Sequence, residues 1–137
     1  MTFVVVNAVV NILSGIKLNK IPDKDTKEIL VKDYLLLKKL VKEVEGEKQD
    51  IISKFQSDFQ DEIQEVDALR QKNEPVEGHE EYLEAEKDAI KMINDAYAKD
   101  VEVSLTSVEL DKFLAAAGEE ALTLETIAFL QENGVIA

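Results

Sequence analysis

The sequence predicts a mainly α protein: a long antiparallel helical hairpin, short flanking helices and a small two-stranded β element. Three observations predict this fold class. An amphipathic pattern of helical period runs over residues 25–72, and a shorter one runs over residues 80–97. The polar segment 74–78, with a proline and a glycine, separates them as a turn. Only two short runs, 2–6 and 101–105, have the residue types or the alternation of strands.

The N-terminal elements are predicted from residue type and spacing. Residues 2–6 are mostly β-branched or aromatic and favour a strand. Apolar residues then recur at helical spacing, which predicts a helix over 8–16. After Pro22, Asp25 is expected to cap the long helix, with Glu28 completing a capping box.

The long helix is predicted from an apolar stripe along residues 25–72. Its early steps of four and three residues are typical of a heptad seam, and after Ile51 the steps lengthen to four. Gly46 is the expected site of a kink, because glycine costs about 1 kcal/mol inside a helix. The stripe consists of Leu30, Tyr34, Leu37, Val41, Val44, Ile51, Phe55, Phe59, Ile63, Val66 and Leu69.

The rest of the chain is predicted to return along this helix and close the fold. A second helix is expected over 79–98, then a strand over 101–105 paired with the N-terminal strand. A last helix is expected over 123–133, capped by Thr123 and closed by Val135 folding back on Leu130. We expect one domain, residues 1–137, with the hairpin over about 25–98 and both terminal segments packed at its base.

Composition and charge exclude several classes of function. The chain has no cysteine, so disulfides, thiolate zinc sites and cysteine nucleophiles are excluded. The net charge of −13 is uneven: residues 17–48 hold nine lysines against seven acids, and residues 49–137 hold seven basic residues against 22 acids. Such acidity disfavours nucleic-acid binding. With no apolar run of spanning length and no basic lead-in to residues 3–16, we expect no membrane association and a cytoplasmic protein.

Several segments resemble a family of small, uncharacterised proteins encoded by tailed phages and prophages of Gram-positive bacteria. The resemblance lies in the early helix and apolar–basic–proline lead-in of residues 7–22, and in the Lys/Glu-rich helix around 36–40. It continues in residues 101–105 and in the Leu-Thr-x-Glu pattern of residues 122–127. The chain lacks the tryptophan that the family's last helix often carries. The resemblance implies a phage or prophage origin, in the host cell cytoplasm, with no established activity.

One acidic cluster has the composition of a metal site. Within residues 80–88, several carboxylates lie on a common face of the predicted helix, and residues 58–65 could supply a second set from the facing helix. Helical nucleotide pyrophosphohydrolases that use magnesium have acidic residues on paired helices in this way. Because acids are so frequent in this chain, we interpret the cluster as a solvated helix start and expect no metal, no cofactor and no small-molecule substrate. His79 is the only histidine, and no hydrolase triad or phosphate-binding glycine loop occurs. The carboxylates are Glu80, Glu81, Glu84, Glu86 and Asp88, with Asp58, Asp61, Glu62 and Glu65.

The widest apolar arc of the long helix is the predicted protein-binding surface. Leu36 and Leu40, with Leu35, widen the stripe beyond what one facing helix covers. The leading hypothesis is therefore a non-enzymatic interaction or assembly protein that acts through the hairpin, by binding a protein partner or by self-association. The alternatives are an acidic DNA mimic or host inhibitor, and a metal-dependent helical nucleotide hydrolase.

Overall fold

A computed structural model describes the backbone of residues 1–137 and every side chain other than that of Ala121. The chain is 74% helical, which confirms the mainly α prediction. The described backbone contains no β-strand, so the predicted two-stranded element is wrong; an isolated bridge joins Val108 and Ile136. The helices are α1 (Phe3–Ser14), α2 (Lys24–Asp58), α3 (Gln60–Gln71), α4 (Glu80–Ala98), α5 (Leu110–Ala117) and α6 (Leu124–Glu132), with 3₁₀ turns at Leu18–Lys20 and Glu119–Ala121.

The backbone contacts divide the chain into two compact units. Unit 1 consists of Met1–Lys42 and Asp100–Ala137, and unit 2 consists of Glu43–Lys99. Helix α2 contributes its first half to unit 1 and its second half to unit 2. Unit 1 is therefore discontinuous in sequence, and unit 2 is not.

The core of unit 1 is built from one face of each of its helices. Residues spaced three and four apart lie on one side of a helix, and these positions are apolar in both α1 and the first half of α2. The buried apolar side chains of unit 1 are Val6, Val9, Val10, Leu13, Ile21, Leu30, Leu37, Val41, Val108, Phe113, Ala116, Leu130, Val135 and Ile136.

Helix α1 occupies the place of the strand predicted at residues 2–6. It begins at Phe3, and its buried residues Val6, Val9, Val10 and Leu13 have helical spacing. The prediction was wrong because it relied on the β-branched residue types, although the run does not alternate between apolar and polar. Burial of one helix face outweighs such weak residue preferences.

The strand predicted at residues 101–105 is an extended segment without a strand partner. Val103 and Leu105 pack against the core of unit 1, while Glu102, Ser104 and Thr106, which alternate with them, are exposed. The alternation thus identified the buried side correctly. Pairing with the N-terminus is reduced to one residue: the Val101 N–H donates to the carbonyl oxygen of Met1 at 2.9 Å.

The two ends of α6 form as the sequence predicted. At its start, the Thr123 hydroxyl oxygen accepts a hydrogen bond from the N–H of Thr126 at 3.1 Å. At its end, Gly134 has a φ of 80°, and the Val135 N–H donates to the carbonyl oxygen of Leu130 at 2.9 Å. Val135 and Leu130 are both fully buried, so the cap also closes the core of unit 1.

The start and the middle of α2 differ from the prediction. Asp23, not Asp25, caps the helix, because its Oδ2 accepts from the hydroxyl of Thr26 at 2.6 Å and from the N–H of Thr26 at 3.0 Å. These hydrogen bonds lower the pKa of Asp23. The helix continues through Gly46, where the kink was expected. Nothing lies within 4 Å of the position that a Cβ of Gly46 would take.

The predicted long helix is instead interrupted at Phe59. This residue has φ −125° and ψ 33°, well away from helical values, and α3 begins directly after it. The prediction of one continuous helix over 25–72 is therefore wrong. The change in apolar spacing after Ile51 was the only sign of this interruption in the sequence.

Side-chain contacts show how the three helical segments of unit 2 run. Lys48 lies 5.8 Å from the ring centre of Tyr97, and Phe59 lies 5.6 Å from that of Tyr82, so α4 runs antiparallel to the second half of α2. By contrast, α3 runs parallel to α4, because Glu62 contacts His79 and Arg70 contacts Glu86. Residues 72–79 therefore run back along α3 before α4 begins.

Unit 2 has a small core centred on one tyrosine. Val66 and Tyr82 are the fully buried apolar residues among its described side chains. The ring of Tyr82, 2% exposed, lies 5.1 Å from the ring of Phe55 and 5.6 Å from that of Phe59. Arg70 forms a bidentate pair with Glu86 at 2.7 and 2.9 Å beside this cluster. Hydrogen bonds from Arg70 and Tyr82 lower the pKa of Glu86.

Candidate functional site

The predicted binding residues Leu36 and Leu40 occupy different environments on α2. Leu36 is on the surface of unit 1 and is 41% exposed. Leu40 is half-buried and packs against the core of unit 1. The neighbouring Leu35 is 59% exposed. A substitution at Leu35 or Leu36 therefore changes the surface, whereas one at Leu40 also disturbs the core.

Leu35 forms part of an apolar depression, which we call the leucine groove. The groove has a volume of ≈ 310 Å³ and lies between the end of α1, the 3₁₀ turn at Leu18–Lys20 and the first half of α2. No charged side chain lines it, and Leu18 and Leu35 are exposed at its edges. Its lining residues are Leu13, Ser14, Ile16, Leu18, Ile21, Leu30, Val31, Tyr34 and Leu35.

The segment that carries the leucine groove is the basic part of an acidic protein. Residues 17–42 hold eight lysines and four acids. Two of these acids have structural roles, because Asp23 caps α2 and Asp33 is buried. The other two, Asp25 and Glu28, are exposed. In the described part of the chain, no ion pair engages any of the eight lysines. The groove therefore combines an apolar floor with positively charged surroundings.

Asp33 is a buried carboxylate on the opposite, core-facing side of α2. Its Oδ1 accepts a hydrogen bond from the N–H of Thr106 at 3.1 Å, which holds the extended segment against the helix. Its Oδ2 is buried without a hydrogen-bond partner among the described atoms. Burial raises the pKa of Asp33, although the hydrogen bond from Thr106 opposes this. The sequence contained a signal for this residue, because Asp33 lies on the same helical face as Leu30 and Leu37.

Unit 2 carries a second apolar surface, which we call the methionine ridge: Met92 with Asp88 and Asp95 on either side of it along α4. Met92 is 56% exposed. It lines two clefts of ≈ 350 Å³ and ≈ 520 Å³, one shared with Asp88 and one shared with Asp95. The charged residues lining these clefts are the acids Glu47, Asp50, Asp58, Asp88 and Asp95 and the lysines Lys54 and Lys99.

Three of the nine carboxylates considered for a metal site, Glu62, Glu65 and Glu86, contact basic side chains instead. Within the described residues, no three potential metal ligands of the His, Cys, Asp or Glu type come together. Glu62 and Glu65 approach opposite ring nitrogens of His79, at 3.0 and 3.7 Å. Glu86 is paired with Arg70. The structure therefore engages Glu62 and Glu65 with His79, and Glu86 with Arg70.

Comparison of the chain with protein-family models, curated proteins and solved structures finds no match in any of the three. Among the described residues, none of the helices combines the length and the apolar character that a membrane crossing requires. The leucine groove was not predicted as a unit, because its lining comes from three separate segments that only the fold brings together.

Proposed function

We propose that the protein is a non-enzymatic interaction protein, of phage or prophage type and acting in the bacterial cytoplasm, that binds a protein partner through the leucine groove. The observation that carries this proposal is the open apolar depression between α1 and α2, with Leu18 and Leu35 exposed among its lining residues. Leucines kept on the surface next to a concave apolar floor are typical of a surface that a partner covers.

The charge around the leucine groove indicates the chemistry of that partner. Eight lysines and four acids in residues 17–42 give this segment a positive balance within a chain of net charge −13. Opposite charges at the rim of an interface speed association and set its orientation. The best fit is a protein segment that places apolar side chains in the groove and carboxylates on the lysines around it.

The proposal is tested by site-specific photo-crosslinking in cells that produce the protein. A photoreactive phenylalanine analogue at Leu18, which lines the groove and is 54% exposed, should give a discrete crosslinked adduct. Mass spectrometry should map that adduct to an apolar segment with acidic flanks. A second substitution, Leu35→Glu, should reduce the adduct at least tenfold, because burying one leucine at an interface contributes roughly 1.5–3 kcal/mol.

A matched control separates loss of binding from the general effect of a new charge. Leu124 is also in unit 1 and is 90% exposed, so Leu124→Glu makes the same chemical change outside the leucine groove. This variant should leave the adduct unchanged. An adduct that survives Leu35→Glu, or the complete lack of an adduct at position 18, would contradict the proposal.

A further inference from the structure

The structure contains, on two different units, an apolar hollow among lysines and an apolar projection among acids. The hollow is the leucine groove of unit 1, and the projection is the methionine ridge of unit 2. We propose that the leucine groove of one molecule binds the methionine ridge of a second copy of the same chain, so that the protein assembles head to tail. This inference rests on the proposed function, since it names the partner that the groove binds.

The methionine ridge has the chemistry that the leucine groove requires. Met92 is more than half exposed in the middle of α4, and an unbranched thioether side chain adapts to irregular apolar hollows. Asp88 and Asp95 lie four residues before it and three residues after it, on the same side of the helix. A Met92 side chain in the groove therefore brings two carboxylates towards the lysines of residues 17–42.

The distribution of charge favours this arrangement over a symmetric one. Unit 2 holds 17 acidic and seven basic side chains, a net charge of −10, so two copies that paired through unit 2 would repel each other. Two copies that paired through their leucine grooves would place lysines against lysines. Contact between a groove and a ridge is the pairing that places opposite charges together.

A contact between two different surfaces has a consequence for assembly. Each molecule that binds a second copy through its groove keeps its own ridge free, and the reverse also holds. Contacts of this kind produce open chains, or rings where the rotation between neighbours closes. The protein should therefore associate progressively as its concentration rises, and salt should weaken the association by screening the charges.

Sedimentation velocity on the purified protein and on two complementary variants tests the inference. Leu35→Glu disables the groove, and Met92→Lys disables the ridge by removing the apolar side chain and reversing the local charge. Each variant alone should lose at least tenfold in association. An equimolar mixture should form dimers and nothing larger, because only one intact groove and one intact ridge can meet in it.

Two control variants carry a new charge outside the groove and the ridge. Ile90→Lys, at an exposed position of α4 outside the ridge, and Leu124→Glu should associate like the wild type. If Leu35→Glu fails to fold by circular dichroism, the double variant Lys17→Glu and Lys20→Glu replaces it at the rim of the groove. Wild-type protein that remains monomeric at about 1 mM, or single variants whose mixture forms no dimer, would overturn the head-to-tail contact. A different protein in the Leu18 adduct would then leave the proposed function standing.

Discussion

Tyr82→Ala should unfold unit 2 while unit 1 remains folded. Tyr82 is fully buried and makes two of the aromatic contacts that hold α2 and α4 together. Truncation of a buried aromatic residue to alanine costs about 3–5 kcal/mol. A unit of roughly 60 residues has a total stability of only about 3–9 kcal/mol. Val66 is the other fully buried apolar residue described in unit 2, so little remains to compensate the loss.

Hydrogen exchange followed by mass spectrometry measures this selective unfolding. In Tyr82→Ala, peptides from residues 43–99 should exchange at rates near those of an unfolded chain, and peptides from α1 and α6 should keep their protection. Tyr82→Phe is the matched control, because it keeps the ring and removes only the hydroxyl that bonds Glu86, at a cost of about 1 kcal/mol. Simultaneous loss of protection in both units would refute the reasoning, since it would mean that they unfold as one.

Two further predictions concern α2. Burial raises the folded-state pKa of Asp33 above its unfolded value, so its contribution to stability is fully present below the unfolded pKa and is lost as pH rises through the folded pKa. Asp33→Asn should therefore gain stability relative to the wild type between pH 4 and pH 7 in urea unfolding, and a constant difference would contradict this. Gly46→Ala should raise stability by about 1 kcal/mol, because a Cβ at this helical position meets nothing within 4 Å; a lower melting temperature would oppose it.

The sequence predicted those elements whose signals are local. The cap at Thr123 and the closing turn at Gly134 were predicted correctly, because each depends on residues only a few positions apart. The start of α4 likewise follows a proline- and glycine-containing turn. Such signals need no knowledge of the rest of the fold.

The errors occurred where contacts between distant residues decide the structure. The interruption at Phe59 lies against Tyr82 of α4, a contact between distant residues that an apolar stripe along one helix could not reveal. At the N-terminus, burial of one face of α1 by distant parts of the chain outweighed the strand preference of its valines. The candidate site shows the same division: exposure of Leu36 follows from the width of the stripe, whereas the leucine groove requires three segments to come together.

The discontinuity of unit 1 sets an order of events for the chain as it folds. Contacts in unit 2, such as Arg70 with Glu86, span 16 residues, whereas the contact of Met1 with Val101 spans 100. Closing the longer loop costs about 1.5 kcal/mol more in chain entropy. We therefore expect unit 2 to form first and to shorten the connection that unit 1 must close. On the ribosome, residues 1–42 emerge first and wait for residues 100–137 throughout the synthesis of unit 2. During that interval the apolar face of α1 lacks the partners that lie in residues 100–137, such as Phe113 and Leu130, and the nascent chain is then most exposed to aggregation.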